Sequence, residues 1–359
     1  MLEPPAGACN RVRHARPAIR TVGHNNFALH PAGASTGLVP LLLEPPMSHR
    51  IALLAAALAL TFGLPTGTAH ARGTQASPGQ CPATEVFAPG TISLPDSWQW
   101  RLSFDPTRTR AFWSHSQGWW PGTRERAEIR SAHRLPGGRW STPTVVPFSG
   151  QHADMDPFVA PLGTAMFFSS MRPVAGEARA DMDLWMVRRT PRGWGTPEHL
   201  GREVNADGYD ELYPSVDLLG NLYFARVKAP VPTEDVQIWR SQRRRDGSYG
   251  APELLGPGVN TPGRWEFNPE ISPDGRTLLF VRLDRPDDGL DDQGHGWGDL
   301  YVSRMVRGQF GEAVNLGPCV NTAADEFHPT VLWERGELYF ARDAGAPSDF
   351  HRTRLQLPR

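Results

Sequence analysis

Trp265-Glu266-Phe267-Asn268-Pro269-Glu270-Ile271-Ser272-Pro273-Asp274-Gly275-Arg276-Thr277-Leu278-Leu279-Phe280-Val281-Arg282 decides how the rest of the chain is read. Apolar residues alternate up to Ile271, Ser272-Pro273-Asp274-Gly275 carries turn chemistry, and Leu278-Leu279-Phe280-Val281 predicts a returning strand. The unit is a hairpin, and it recurs. Its first-strand anchor falls at Arg101 in a degenerate copy and then at Pro157, Pro214, Pro269 and Pro329, at spacings of 56, 57, 55 and 60 residues. Each later anchor is followed by a turn glycine (Gly163, Gly220, Gly275, Gly336) and a second apolar strand.

A third strand opens with a polar and then an apolar residue, at Glu128-Ile129, Asp183-Leu184, Gln237-Ile238, Asp299-Leu300 and Asp349-Phe350. A fourth carries an aromatic, a proline three residues later and a Leu-Gly step, as at Trp194, Pro197 and Leu200-Gly201. Four strands in every repeat, with no helical period between them, predict an all-β propeller of five four-stranded blades, with six as the alternative. The fifth repeat stops after its third strand. Pro89 and Ile92 match the positions of Pro197 and Leu200, so residues 86–92 are expected to supply the missing outer strand and close the ring, which removes an open sheet edge.

At this point the repeat resembles the TolB-like, WD-repeat-like propellers, whose blades carry a Pro-x-Ile-Ser-Pro-Asp-Gly signature. The whole signature stands at Pro269-Glu270-Ile271-Ser272-Pro273-Asp274-Gly275, and a Leu-Gly-x-x-Val-Asn tail recurs up to Asn205, Asn260 and Asn321. The resemblance covers residues 83–355 and implies a platform for partners; it does not fix an activity. TolB-like proteins with an added N-terminal domain differ here, since residues 72–84 are too short to supply one.

The chain has 359 residues. Residues 1–46 are rich in Pro, Ala, Gly and Arg without an apolar period, and are expected to be disordered and to lie upstream of the true start. From Met47 the sequence reads as a signal peptide, with Arg50 as the positive region, an apolar run at 51–60 too short to span a bilayer, and Ala69-His70-Ala71 as the cleavage site. Residues 72–82 then form a linker and 83–359 the propeller. Export to the periplasm or the medium follows, with no membrane insertion after cleavage. Cys81 and Cys319 would survive cleavage, and an oxidising compartment makes them a candidate disulfide.

Five of the 37 Lys and Arg and two of the 38 Asp and Glu precede Arg72, which leaves the rest at a charge of about −4. That balance argues against nucleic acid as a partner. The expectation is a monomer that binds a protein or envelope polysaccharide.

Three residues before the anchor stand Asp154, Glu211, Glu266 and Glu326, with Trp98 in the degenerate blade. Two residues further on, and on the same strand face by the period of two, are Trp100, Asp156, Tyr213, Asn268 and His328. Four carboxylates near one mouth of the channel repel and need compensation. Two readings stay open: the acids bind a cation, Ca²⁺ among them, or a sugar, or each turns aside to accept hydrogen bonds from the incoming loop. The acidic loop Asp284, Asp287, Asp288, Asp291 and Asp292 lacks the spacing of the helix-loop-helix calcium loop. Arg226, Arg282 and Arg342 are expected to pair with third-strand acids such as Asp299 and Asp349.

No Gly-x-Ser-x-Gly elbow, His-Glu-x-x-His or Cys-x-x-Cys motif occurs, and His115, His133, His152, His199 and His295 are scattered. The first reading is therefore a non-catalytic binding platform without a resident cofactor, with Trp119 and Trp120 among its contact anchors. A glycosidase using Asp154, Glu211, Glu266 and Glu326 is the alternative.

Overall fold

The structure is a computed structural model that describes residues 81–118, 127–229, 236–283, 298–343 and 347–358. The segment before Cys81, the tryptophan pair Trp119-Trp120, the acidic loop and His295 lie outside the described residues. Every regular element described is a β-strand.

Five antiparallel sheets form a ring, one per sequence repeat. The inner strands are Trp98–Phe104, Asp154–Val159, Tyr209–Val216, Trp265–Ile271 and Asp325–Leu332, and adjacent ones touch in a closed cycle. Blade four shows the design: Trp265–Ile271 pairs with Thr277–Leu283, which pairs with Gly298–Val306, which pairs with the short outer strand Val314–Asn315. Its turn closes as the sequence predicts. The Gly275 N–H donates to the Ser272 carbonyl at 2.8 Å, and Gly275 adopts φ +71°, where a β-carbon is strained.

Second strands are apolar on both faces because each blade is packed on both sides. Phe224 points toward blade two, where it meets Phe167 and Leu184, whereas its neighbour Tyr223 points toward blade four and meets Leu278 and Phe280. Five buried clusters of this kind fill the five gaps between blades, and a sixth gathers around Trp100, Met155 and Leu212 at one end of the axis.

The ring closes through the chain ends. Glu85–Val86 pairs with Asp349–Arg354 and completes blade five. The register differs from the expected one. Phe87 takes the place of Leu200, its N–H donating to the Phe350 carbonyl at 2.7 Å as Leu200 donates to Leu184, and Ile92 takes the place of the tail valine Val204. The outer strand is thus two residues long, and the segment after it is the incoming loop.

That loop is pinned to the third strand by a side chain in every blade. Asn205, Asn260 and Asn321 each accept from the backbone N–H of an apolar residue near the start of the third strand (Leu184, Ile238 or Leu300) and donate to its carbonyl. A side chain so placed continues the sheet where the backbone has turned away. Ser149 and Ser93 do half of this work for Ile129 and Phe350. Cys81 is bonded to Cys319, beside the Asn321 loop, and the bond spans 238 residues.

Candidate ligand site at the channel mouth

The period of two breaks inside each inner strand. Arg101, Asp156, Tyr213, Asn268 and His328 all have φ between 47° and 58°, and the pairing with the second strand slips at each of them. A proline follows four of the five. Proline has no N–H to give the ladder, so the bulge sits where that bond would be missing. Blade one keeps the bulge with Leu102 in the proline's place. Its anchor is therefore Leu102 rather than Arg101, and the equivalents of Asp154 and Asp156 are Gln99 and Arg101 rather than Trp98 and Trp100.

The first-strand acids do not face the channel as a free ring; each is fully buried and held in the frame of its own blade. Glu211, Glu266 and Glu326 receive the Nε of Arg226, Arg282 and Arg342 at 2.7, 2.9 and 2.6 Å. Ala206, Thr261 and Thr322 donate their backbone N–H to the same three carboxylates. The arginines also donate to the carbonyls of Val204, Val259 and Val320 and lie over Phe224, Phe280 and Phe340. In blade two the shorter Asp154 is reached by Arg172 at 2.6 Å and by Ser170.

Arg282 and Arg342 do stand opposite Asp299 and Asp349 in register, as expected. Their Nε atoms nevertheless turn to the inner strand, where Glu266 and Glu326 are fully buried, while the same guanidiniums reach the Val259 and Val320 carbonyls of the incoming loops. Burial pushes the Glu211 carboxyl up to about 8 and raises Glu266 and Glu326, against the pull of their arginines. In blade one both partners change together. Gln99 accepts from the Leu94 N–H as the glutamates accept from their loops, and His115 stands opposite it in place of the arginine. Burial, and after it Arg130, hold His115 below its ordinary value, so an amide and a neutral imidazole replace the carboxyl and the guanidinium.

Arg101 enters the axis and plugs it. Its guanidinium donates to the carbonyls of Pro269, Pro329 and Pro214 at 3.3, 3.2 and 3.4 Å, and to Glu270 Oε2 at 2.9 Å. The bulges aim those carbonyls inward, and one cation ties blade one to blades three, four and five. Phe158 of blade two lies against it, 5.4 Å from the guanidinium carbon to the ring centroid. Around this plug, Ser103 accepts from the Val159 N–H, Ser215 from Ile271 and Glu270 from Val331, while Thr330 donates to the Leu102 carbonyl.

On one side of the plug a cavity of about 230 Å³ opens at the mouth. Asp156, Tyr213 and His328 line it, whereas Asn268 does not; its Oδ1 accepts from the His328 N–H at 3.0 Å. Trp100, Trp265, Phe267 and Phe327 form much of the wall, with Met155, Leu212, Val227, Val236 and Leu283. None of the four framework acids lines it. Three of the eight expected site residues thus meet at the mouth. Trp100, expected on the same face as Asp156, is there too, whereas Trp265, Phe267, Phe327 and Arg101 were missed because strict alternation through the bulge puts them on the other face.

Burial raises Asp156 to about 7, opposed first by Arg101, and raises Glu270 to about 7 on the same balance. Burial holds His328 well below its ordinary value, so its imidazole is neutral. Asp156 Oδ1 and His328 Nδ1 are buried without a hydrogen-bond partner among the described residues. Those residues include no group of three His, Cys, Asp or Glu side chains able to hold a metal ion.

No family model and no curated protein matches the chain. Among solved structures the fold is similar to that of the endo-arabinase from Bacteroides thetaiotaomicron VPI-5482, at 15% identity and a TM-score of 0.48 over 74% of this chain and 95% of that one. It is also similar to Trypanosoma rangeli sialidase, at 11% identity and a TM-score of 0.43 over 76% of this chain and 60% of that one. An oligogalacturonate lyase solved in complex with manganese aligns at 13% identity and 0.39 over 73% and 66%. At such identities the likeness reaches the propeller fold and stops there.

Proposed function

We propose that this protein is an exported, non-catalytic propeller of the TolB-like kind, a platform for a protein or envelope glycan partner that inserts a group into the channel mouth. The observation that carries this reading is the fate of the four acids. Hydrolysis of a glycosidic bond needs two carboxyl groups open to substrate at a defined separation. Asp154, Glu211, Glu266 and Glu326 instead sit buried against arginines, away from the cavity. The cavity keeps one carboxyl, one neutral imidazole and an aromatic wall, which suits holding a ligand. The Pro269–Gly275 signature and its bulge support the TolB-like assignment, and the disulfide is compatible with export.

The test measures turnover of a panel of envelope oligosaccharides beside their effect on the thermal midpoint, since a ligand bound only by the native state raises it. A midpoint rise without turnover is the expected result. Turnover that disappears in Glu211→Gln or Glu266→Gln while the fold persists would overturn the reading. N-terminal sequencing of the exported chain is expected to begin at Arg72.

A further inference from the structure

Charge and wall chemistry narrow what the mouth accepts. The axial cluster holds one cation, Arg101, and two carboxyl groups, Asp156 and Glu270, and Arg101 bonds directly to Glu270. Tyr213 and His328 add no charge. With both carboxyls ionised the cluster carries one negative charge in excess, buried at the end of a cavity with five aromatic residues in its lining: Trp100, Tyr213, Trp265, Phe267 and Phe327. Asp156 is fully buried, lines that cavity and has Oδ1 unpartnered.

An anion would meet Asp156 and no cation among the described residues that line the cavity. A bare metal ion would find, among the described lining residues, a single carboxylate and no shell of oxygens. A sugar ring would need several directed donors and acceptors, and the wall is mostly carbon. What fits a buried negative charge behind aromatic faces is a cation with an apolar skin. The cavity, smaller than one for a drug-sized ligand, suits a group of a few heavy atoms.

We infer that the mouth cavity is a binding site for an alkylated ammonium group, with Asp156 as counter-ion and Trp100, Trp265, Phe267 and Phe327 as cation–π faces. The inference rests on the platform reading and names the group the partner inserts. Binding needs Asp156 ionised. The groups facing that carboxyl are Arg101 across the axis, the Ser169 hydroxyl, which donates to Oδ2 at 3.3 Å, and the Tyr213 backbone, with Glu270 and His328 reached through Arg101. Arg101 is the charged one that keeps Asp156 from staying protonated, so affinity falls as pH drops below about 7.

The test is a tryptophan-fluorescence titration of the full chain at about pH 8, with the thermal midpoint followed in parallel. Choline is the first probe, and its neutral isostere 3,3-dimethylbutan-1-ol is the control. Trimethyllysine amide and phosphocholine distinguish a protein side chain from a glycan substituent as the source. Saturable binding of choline at least tenfold tighter than the isostere is expected, weakening by more than about tenfold at about pH 5.5, as the ionised fraction of Asp156 falls. Asp156→Asn should erase the preference for charge. Trp265→Leu, at a half-buried wall position, should cost about tenfold in choline affinity with the midpoint unmoved.

Equal binding of choline and its isostere would overturn the inference, as would an undiminished choline affinity in both variants. Neutral oligosaccharides that raise the midpoint while all ammonium probes stay silent would sink the cation assignment and leave the platform standing. Sugar turnover would sink the platform instead.

Discussion

Arg101→Met is the substitution that most directly questions the axial plug. The wild-type guanidinium is fully buried, reaches three proline carbonyls and Glu270, and faces Asp156. Methionine preserves much of the volume and removes every donor. Breaking a buried ion pair from one side costs about 3–5 kcal/mol, because the partner is left charged and unpaired or must take up a proton. Here the three proline carbonyls also lose a donor. About 4 kcal/mol is therefore expected at pH 8, read from urea denaturation followed by tryptophan fluorescence. Glu270 and Asp156 are raised to about 7, so by pH 5.5 both are largely protonated and the arginine has less charge to neutralise. The loss should then shrink to about half. The double variant Arg101→Met/Glu270→Met removes both ends of the pair and should be more stable than Arg101→Met alone. A loss below about 1 kcal/mol, or a double variant that merely sums its singles, would refute the plug as an energetic centre.

The Cys81→Ser/Cys319→Ser pair opens a loop of 238 residues, for which chain entropy predicts about 5 kcal/mol of lost stability; an unchanged midpoint under reducing conditions would contradict this. Burial raises Asp156, Glu211, Glu266, Glu270 and Glu326 above the values they have in an unfolded chain, Glu211 to about 8. The native state thus holds more protons than the unfolded one, and the stability these groups add is complete below about pH 4 and lost as pH rises through 7 to 8. The thermal midpoint should fall between pH 6 and pH 9, and a rise would show that the arginines outweigh burial. Gln99→Glu alone should destabilise blade one by about 1–3 kcal/mol, because it buries a charge opposite a neutral histidine. Adding His115→Arg should restore most of that loss in the same urea titration, as the frames of blades three, four and five imply.

The blade count, the hairpin and the ring closure were legible because each rests on a repeated local pattern that the chain spells out five times. The disulfide was legible only as the two cysteines that follow the expected cleavage site. Residue placement beyond the bulge was not. Asp156, Tyr213, Asn268 and His328 were expected to share a face with the acids two residues earlier, yet each adopts a left-handed backbone that resets the alternation. The same bulge hid Arg101, which counts as an anchor if the proline is matched by type and as a channel residue only if the bulge is matched by position. Of the two fates considered for the acids, the geometry has Glu211, Glu266 and Glu326 accepting loop N–H bonds, while Asp154 accepts from Ser170 and Arg172. The arginines that complete the frame stand 15 or 16 residues on and lie opposite them in register. Only the course of the incoming loop, whose Val259 and Val320 carbonyls meet the same arginines, decides between that partner and the third-strand aspartates.

The link between Cys81 and Cys319 also determines how the ring would carry mechanical load. Pull Cys81 away from Pro358, and the tension runs across the sulfur bridge straight to Cys319 and then into blade five. The backbone of blades one to four is shunted out of the path. What yields first is the seam where Glu85–Val86 is zipped to Asp349–Arg354, followed by blade five peeling strand by strand, while the other four blades feel no force along their chain. Reduction would reroute the same pull through the entire propeller.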